Sequence, residues 1–129
     1  MKASGTFEVK LQPLELANPS ASPMLGRRSI DKQFHGDLQA VSQGEMLSAG
    51  TAVKGSAGYV AIELVSGTLH GRSGEFALQH TGTMKRGEPT LSVTVVPDSG
   101  TDQLVGLTGS MTIKVEAGTH SYEFEYSLT

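Results

Sequence analysis

The chain contains no cysteine. Disulfide scaffolds, thiolate nucleophiles and cysteine-based metal sites are therefore excluded. Its basic residues form no cluster, and the formal net charge is −3. The phosphate-neutralising contribution that drives nucleic-acid binding is missing, so no nucleic-acid partner is expected. No apolar run reaches the roughly 18 residues of a membrane-spanning helix. The opening "MKASGTFEV" leads into an alternating strand without the apolar stretch of a signal peptide. No membrane partner is expected, and a cytoplasmic location is the default. The four histidines, His35, His70, His80 and His120, show no H-x-H, H-x3-H or HExxH spacing. Neither a metal nor any other cofactor is expected. There is no G-x-S-x-G elbow for a nucleophile. The glycine-rich "SGTDQLVGLTG" precedes no helix, so it reads as a turn and not as a phosphate cradle.

What is present is alternation. Apolar residues make up 37% and charged residues 18%, both below the usual globular shares, while glycine is high at 16. With 129 residues the chain is read as one domain over 1–129. "TFEVKL" sets Phe7, Val9 and Leu11 on one face against Thr6, Glu8 and Lys10 on the other. "LANPSASP" then breaks the pattern, forming the longest loop and the best candidate for a flap. His35-Gly36-Asp37 predicts a hairpin that pairs Phe34 with Leu38, Lys32 with Ala40 and Ile30 with Ser42. Ala117-Gly118 predicts another, with Ile113 opposite Tyr122 and Met111 opposite Phe124, so that Val115, Ile113 and Met111 share a face with Tyr122, Phe124 and Tyr126. About eight strands follow, nearly all joined to their sequence neighbours. A single antiparallel, mostly up-and-down all-β barrel satisfies this best, because closure removes edge strands; a sandwich is the alternative. Eight strands enclose an interior that side chains fill or that holds one small ligand.

The stretch "ELVSGTLHGRSGEFALQH" carries the densest chemistry. A two-residue turn at Ser66-Gly67 would set Glu63 opposite His70 and Ala61 opposite Arg72. Tyr59, Glu63, His70, Arg72, Phe76 and His80 would then share a face, and Val60, Ile62, Leu64 and Leu69 the other. A solvated Glu63–His70–Arg72 pairing is the plain reading of that face. Phe76 and Leu78 are the hairpin's largest apolar side chains, so their parity should turn Tyr59, Glu63 and His80 inward. Lys32 falls between Ile30 and Phe34 on their face. Unless a bulge turns it out, it needs a carboxylate or a water-filled lumen, and Glu63 or Glu45 could supply the carboxylate. The candidate lumen residues are therefore Tyr59, Glu63, His80, Glu45, Lys32 and Phe76. Because both faces of the fourth strand are partly apolar and only one can point inward, a homo-oligomer is expected.

The segments "FHGDLQAVSQGEMLSAG", "GSAGYVAIELVSGTLHGRSGEFALQHTG" and "VVPDSGTDQLVGLTG" resemble a bacterial family of small uncharacterised proteins, a domain of unknown function, over nearly the whole chain. The resemblance implies a barrel similar to that of allene oxide cyclase, and "SGTDQLVGLTG" is also similar to the Gly-Thr-Gly turn of dirigent proteins. In those relatives the lumen holds an apolar molecule and steers its cyclisation or coupling, but no catalytic residue carries over, and fold likeness alone does not assign activity. The expectation is a barrel that binds a small apolar ligand in its lumen. The alternatives are an isomerase- or cyclase-type enzyme using an interior carboxylate whose pKa burial raises, and a solid-cored barrel acting only as an oligomeric structural module. No catalytic motif decides for an enzyme.

Overall fold

Eight strands follow one another in a computed structural model that describes residues 1–18 and 23–129. They are β1 (Lys2–Leu14), β2 (Leu25–Gly36), β3 (Leu38–Gly50), β4 (Ala57–Leu69), β5 (Arg72–Lys85), β6 (Glu88–Val95), β7 (Thr108–Glu116) and β8 (Thr119–Ser127). Each pairs antiparallel with its sequence neighbour, and β8 returns to β1, closing the barrel. The up-and-down barrel expected from the alternation is the fold, and the sandwich is excluded. A three-residue 3-10 helix, Asp102–Leu104, is the only helix among the described residues. Residues 19–22, the middle of the segment expected as a flap, lie outside the described residues.

Alternation decides what faces in. On β4, Ala61, Glu63, Val65 and Leu69 are buried, while Val60, Ile62 and Leu64 are 51%, 56% and 50% exposed. Turn chemistry decides the register. His70-Gly71, Arg86-Gly87 and Ala117-Gly118 all have positive φ at both residues, which suits a two-residue hairpin turn whose twist matches that of the strands. At Ala117-Gly118 the observed pairs, Ile113 with Tyr122 and Met111 with Phe124, are those expected from sequence.

The β4–β5 hairpin is a correction. Its turn is His70-Gly71, not Ser66-Gly67, so Glu63 pairs with Leu78 and Ala61 with His80. Ser66 and Gly67 continue the strand. A Cβ on Gly67 would lie 2.3 Å from the Gln39 carbonyl oxygen and 2.6 Å from Ala40 Cα, so that glycine serves a close approach of β3. The real turn is held by the His70 N–H, which donates to the Asp37 carbonyl at 2.8 Å, and by a hydrogen bond between His70 Nδ1 and the Tyr126 hydroxyl. The β2–β3 register also differs by two residues, with Phe34 opposite Ala40 and Lys32 opposite Ser42. Both slips are even, and an even slip keeps paired side chains on their expected faces. Leu69 is the exception, because the true turn leaves it on β4, where it is buried with Glu63 and not on the outer face with Val60, Ile62 and Leu64.

One end of the barrel is solid. Phe34, Leu38, Leu69, Phe76, Tyr122, Phe124 and Tyr126 pack there with Leu104 and Leu107 from the β6–β7 connection. That connection completes the wall that β6 leaves uncovered. Val96 and Thr101 donate main-chain hydrogen bonds to the Ala77 and Glu75 carbonyls, each at 2.9 Å. The seam between β6 and β7 is the sparsest, joined at the register pair Thr94–Ser110. A cleft of about 280 Å³ opens beside it, lined by Leu91, Val93, Met111 and Ile113 among others.

Candidate functional site

Above the solid end, four polar side chains from four adjacent strands converge inside the barrel. Glu63 of β4 is fully buried. Its Oε2 accepts from Lys32 Nζ (β2) at 2.8 Å and faces His80 Nε2 (β5) at 2.5 Å, and its Oε1 accepts from Ser42 Oγ (β3) at 2.7 Å. The Lys32 ammonium also lies 4.9 Å from the centre of the Phe7 ring and 5.7 Å from that of Phe34, so cation–π attraction supplements the ion pair. No buried side-chain polar atom among the described residues lacks a partner, as burial of charge demands.

This environment reverses one expectation. Burial alone raises a carboxyl pKa, and it is the largest single influence on Glu63. The His80 hydrogen bond, the Lys32 charge and the Lys32 hydrogen bond together outweigh it and hold the group down at about 2. Glu63 is therefore a fixed carboxylate at neutral pH and not the raised-pKa acid or base expected. Tyr59 moves the other way, pushed up first by burial and then by the Glu63 charge.

The structure brings Lys32, Glu63 and His80 into contact, with Tyr59 nearby; the Tyr59 and His80 ring centres are 6.4 Å apart. Tyr59 is half-buried, its ring lying over Gly82, where a Cβ would come within 2.4 Å of it. Phe76 faces inward but belongs to the solid end, stacked on Phe124 at 5.9 Å. Glu45 is a correction: it lies on the outer wall, exposed and paired with Arg27 Nη2 at 2.7 Å. Its parity was readable, since Leu38, Ala40 and Ser42 are the buried positions of β3 and Glu45 falls between them and not with them. His70 and Arg72 are also absent from the cluster, because the true turn carries them to the end of the barrel. Ser42 was missed as a member; its only sequence signal is its place on the apolar parity of β3.

Above this cluster the inward-facing positions end in large apolar side chains that the described residues cover only in part: Leu11, opposite Ile30, is 41% exposed, Met84 43%, and Leu91, opposite Gly82, 42%. A larger groove of about 480 Å³ runs over the outer wall past Arg27, Glu45, Leu47, Val60, Ile62 and Gln79; Ala61 and His80 also line it, and Glu63 does not. Among the described residues no three His, Cys, Asp or Glu side chains group as a metal site would require. No helix among them is long and apolar enough to cross a membrane.

Residues 3–126 match the family described as "Protein of unknown function (DUF3224)". The chain belongs to the DUF3224 family. A crystal structure of a DUF3224 protein of unknown function from Shewanella oneidensis MR-1 is similar to it, at 53% sequence identity and a TM-score of 0.94, covering 100% of this chain and 97% of that one. No curated protein matches. The family expected from the sequence is thus the one found, and in this DUF3224 protein the buried Lys32–Glu63–His80 cluster lies beneath a partly exposed apolar rim.

Proposed function

We propose that the protein binds a small, mostly apolar molecule at the open end of the barrel, seated on Tyr59 and rimmed by Leu11, Met84 and Leu91. The observation that carries this reading is a charged cluster buried directly below inward-facing apolar side chains that the described residues leave about two-fifths exposed. Small-molecule sites combine such an apolar lining with a few fixed polar groups. A buried charged network is also costly to build, and such networks concentrate at functional sites. The test is titration with N-phenyl-1-naphthylamine, a neutral apolar dye that fluoresces out of water. Saturable binding of one dye per chain is expected, weakened about five- to ten-fold by Met84→Lys or Leu91→Lys, the equivalent of roughly 1 kcal/mol of lost apolar contact. Unsaturable binding, or equal binding by the rim variants, would overturn it.

The outer wall favours a second, compatible reading: self-association. Val41, Leu47, Val60, Ile62 and Leu64 are all about half exposed, and on the β3–β4 wall Leu47 pairs directly with Val60. An apolar patch of this kind on an outer wall marks a contact surface. Light scattering should give a multiple of the chain mass, and Ile62→Lys should return it to the monomer. A monomer at micromolar concentration would remove this reading.

A further inference from the structure

Beyond the Glu63–His80 contact, the other imidazole nitrogen of His80 has no hydrogen-bond partner among the described residues. A carboxylate only accepts hydrogen bonds, so the proton between the two groups is on His80 Nε2. In the neutral ring this makes Nδ1 a bare acceptor. Among the described residues no group meets Nδ1, yet no buried unpartnered polar atom exists in the barrel. His80 is 4% exposed, so its small exposed area includes Nδ1. The groups facing the ring are Glu63, Lys32 through that carboxylate, and Tyr59.

We infer that His80 is a proton acceptor for the bound molecule, with Glu63 as its positioning residue, and that the molecule is an apolar compound carrying a weakly acidic hydroxyl, a phenol or an enol. This rests on the binding reading above. The step balances within the site: the ligand O–H bond breaks, its electron pair stays on oxygen, and the proton forms a bond to Nδ1. The products are an imidazolium and a phenolate or enolate.

Charge selects the ligand class. Before transfer Lys32 and Glu63 cancel. After it, the imidazolium adds one positive charge, which the new oxyanion balances. An amine ligand would bring a cation instead. A cation does not reach the Glu63 carboxylate, which is fully buried, with Ser42 on Oε1 and both Lys32 and His80 on Oε2. Lys32 and Ser42 thus hold the carboxylate in place and charged, and Glu63 in turn fixes the tautomer and stabilises the imidazolium, the division of labour familiar from base–carboxylate pairs.

The test uses 4-nitrophenol, whose phenolate is yellow, at a pH below the free phenol's own pKa, beside the neutral dye. Wild-type protein should bind it saturably and show the phenolate band. His80→Gln should abolish that band. Glu63→Gln should lower it by about ten-fold, one pKa step of lost ion pairing, and the wild-type protein should bind the dye. A bound phenol that stays neutral in wild type, or a phenolate band that survives His80→Gln, would overturn the inference and leave the binding reading standing. Failure of the dye to bind would overturn both. Nitrogen NMR of the wild-type imidazoles removes any dependence on the variants: in the free protein His80 should carry its proton on Nε2 with Nδ1 bare, and the phenol should protonate Nδ1. A free protein with the proton on Nδ1 overturns the inference outright.

Discussion

Lys32 and Glu63 stand on strands separated by β3, yet their side chains meet inside the barrel at 2.8 Å, with exposures of 7% and 0%. Removing one partner strands the other charge in an apolar interior. Lys32→Met and Glu63→Leu are each expected to cost about 3–5 kcal/mol, whereas the double variant should be more stable than either single one. Urea unfolding of the three variants checks this. Additive losses in the double variant would show that the pair is not coupled.

Glu63 also sets an acid limb of stability. Its folded pKa of about 2 lies below its ordinary 4.5, so the unfolded chain takes up a proton first as pH falls. The contribution is fully present above about pH 4.5 and disappears between there and about pH 2, amounting to on the order of 3 kcal/mol. Melting temperatures across that window should fall more steeply for wild type than for Glu63→Gln. Parallel curves would place the acid sensitivity elsewhere.

The Tyr122 hydroxyl pins the tight β2–β3 connection, donating to the His35 carbonyl at 2.9 Å and accepting from the Leu38 N–H at 2.9 Å. Tyr122→Phe leaves the buried Leu38 N–H unpaired and should cost about 1–3 kcal/mol. Amide exchange read at Leu38 should accelerate in this variant, and an unchanged rate would deny the hydroxyl its role.

Gly82→Ala probes the mouth. The new methyl would occupy the space of the Tyr59 ring, which must swing away while the backbone stays put. The expected result is a fold unchanged by circular dichroism and dye affinity lowered several-fold. Unaltered affinity would show that Tyr59 does not seat the dye.

Legibility in the sequence followed the physics of each signal. Face assignment was readable because alternation has a period of two, and for all but Leu69 by the misplaced turn it survived two register errors because both slips were even. The need of an inward Lys32 for a carboxylate was readable, but the choice of Glu63 over Glu45 was not. The β4–β5 turn was not. Ser-Gly resembles a turn, whereas the residue that makes the real one is His70 at φ 47°, a conformation that non-glycine residues seldom adopt and that long-range bonds to Asp37 and Tyr126 hold in place. The lowered pKa of Glu63 was equally hidden, since it depends on His80 and Lys32 arriving together from β5 and β2.

The seam between β6 and β7 gives the wall a weak direction. The other seven neighbouring strand pairs are each joined at six or more register positions, and this one is fastened at Thr94 and Ser110. Breathing concentrates where backbone pairing is thinnest, so the β7–β8 hairpin can lean outward while β8 keeps its grip on β1. That motion parts Leu91 and Val93 from Met111 and Ile113 and leaves the strands that hold Lys32, Ser42, Glu63 and His80 laced to one another. The barrel can flex at its side and keep its charged cluster rigid.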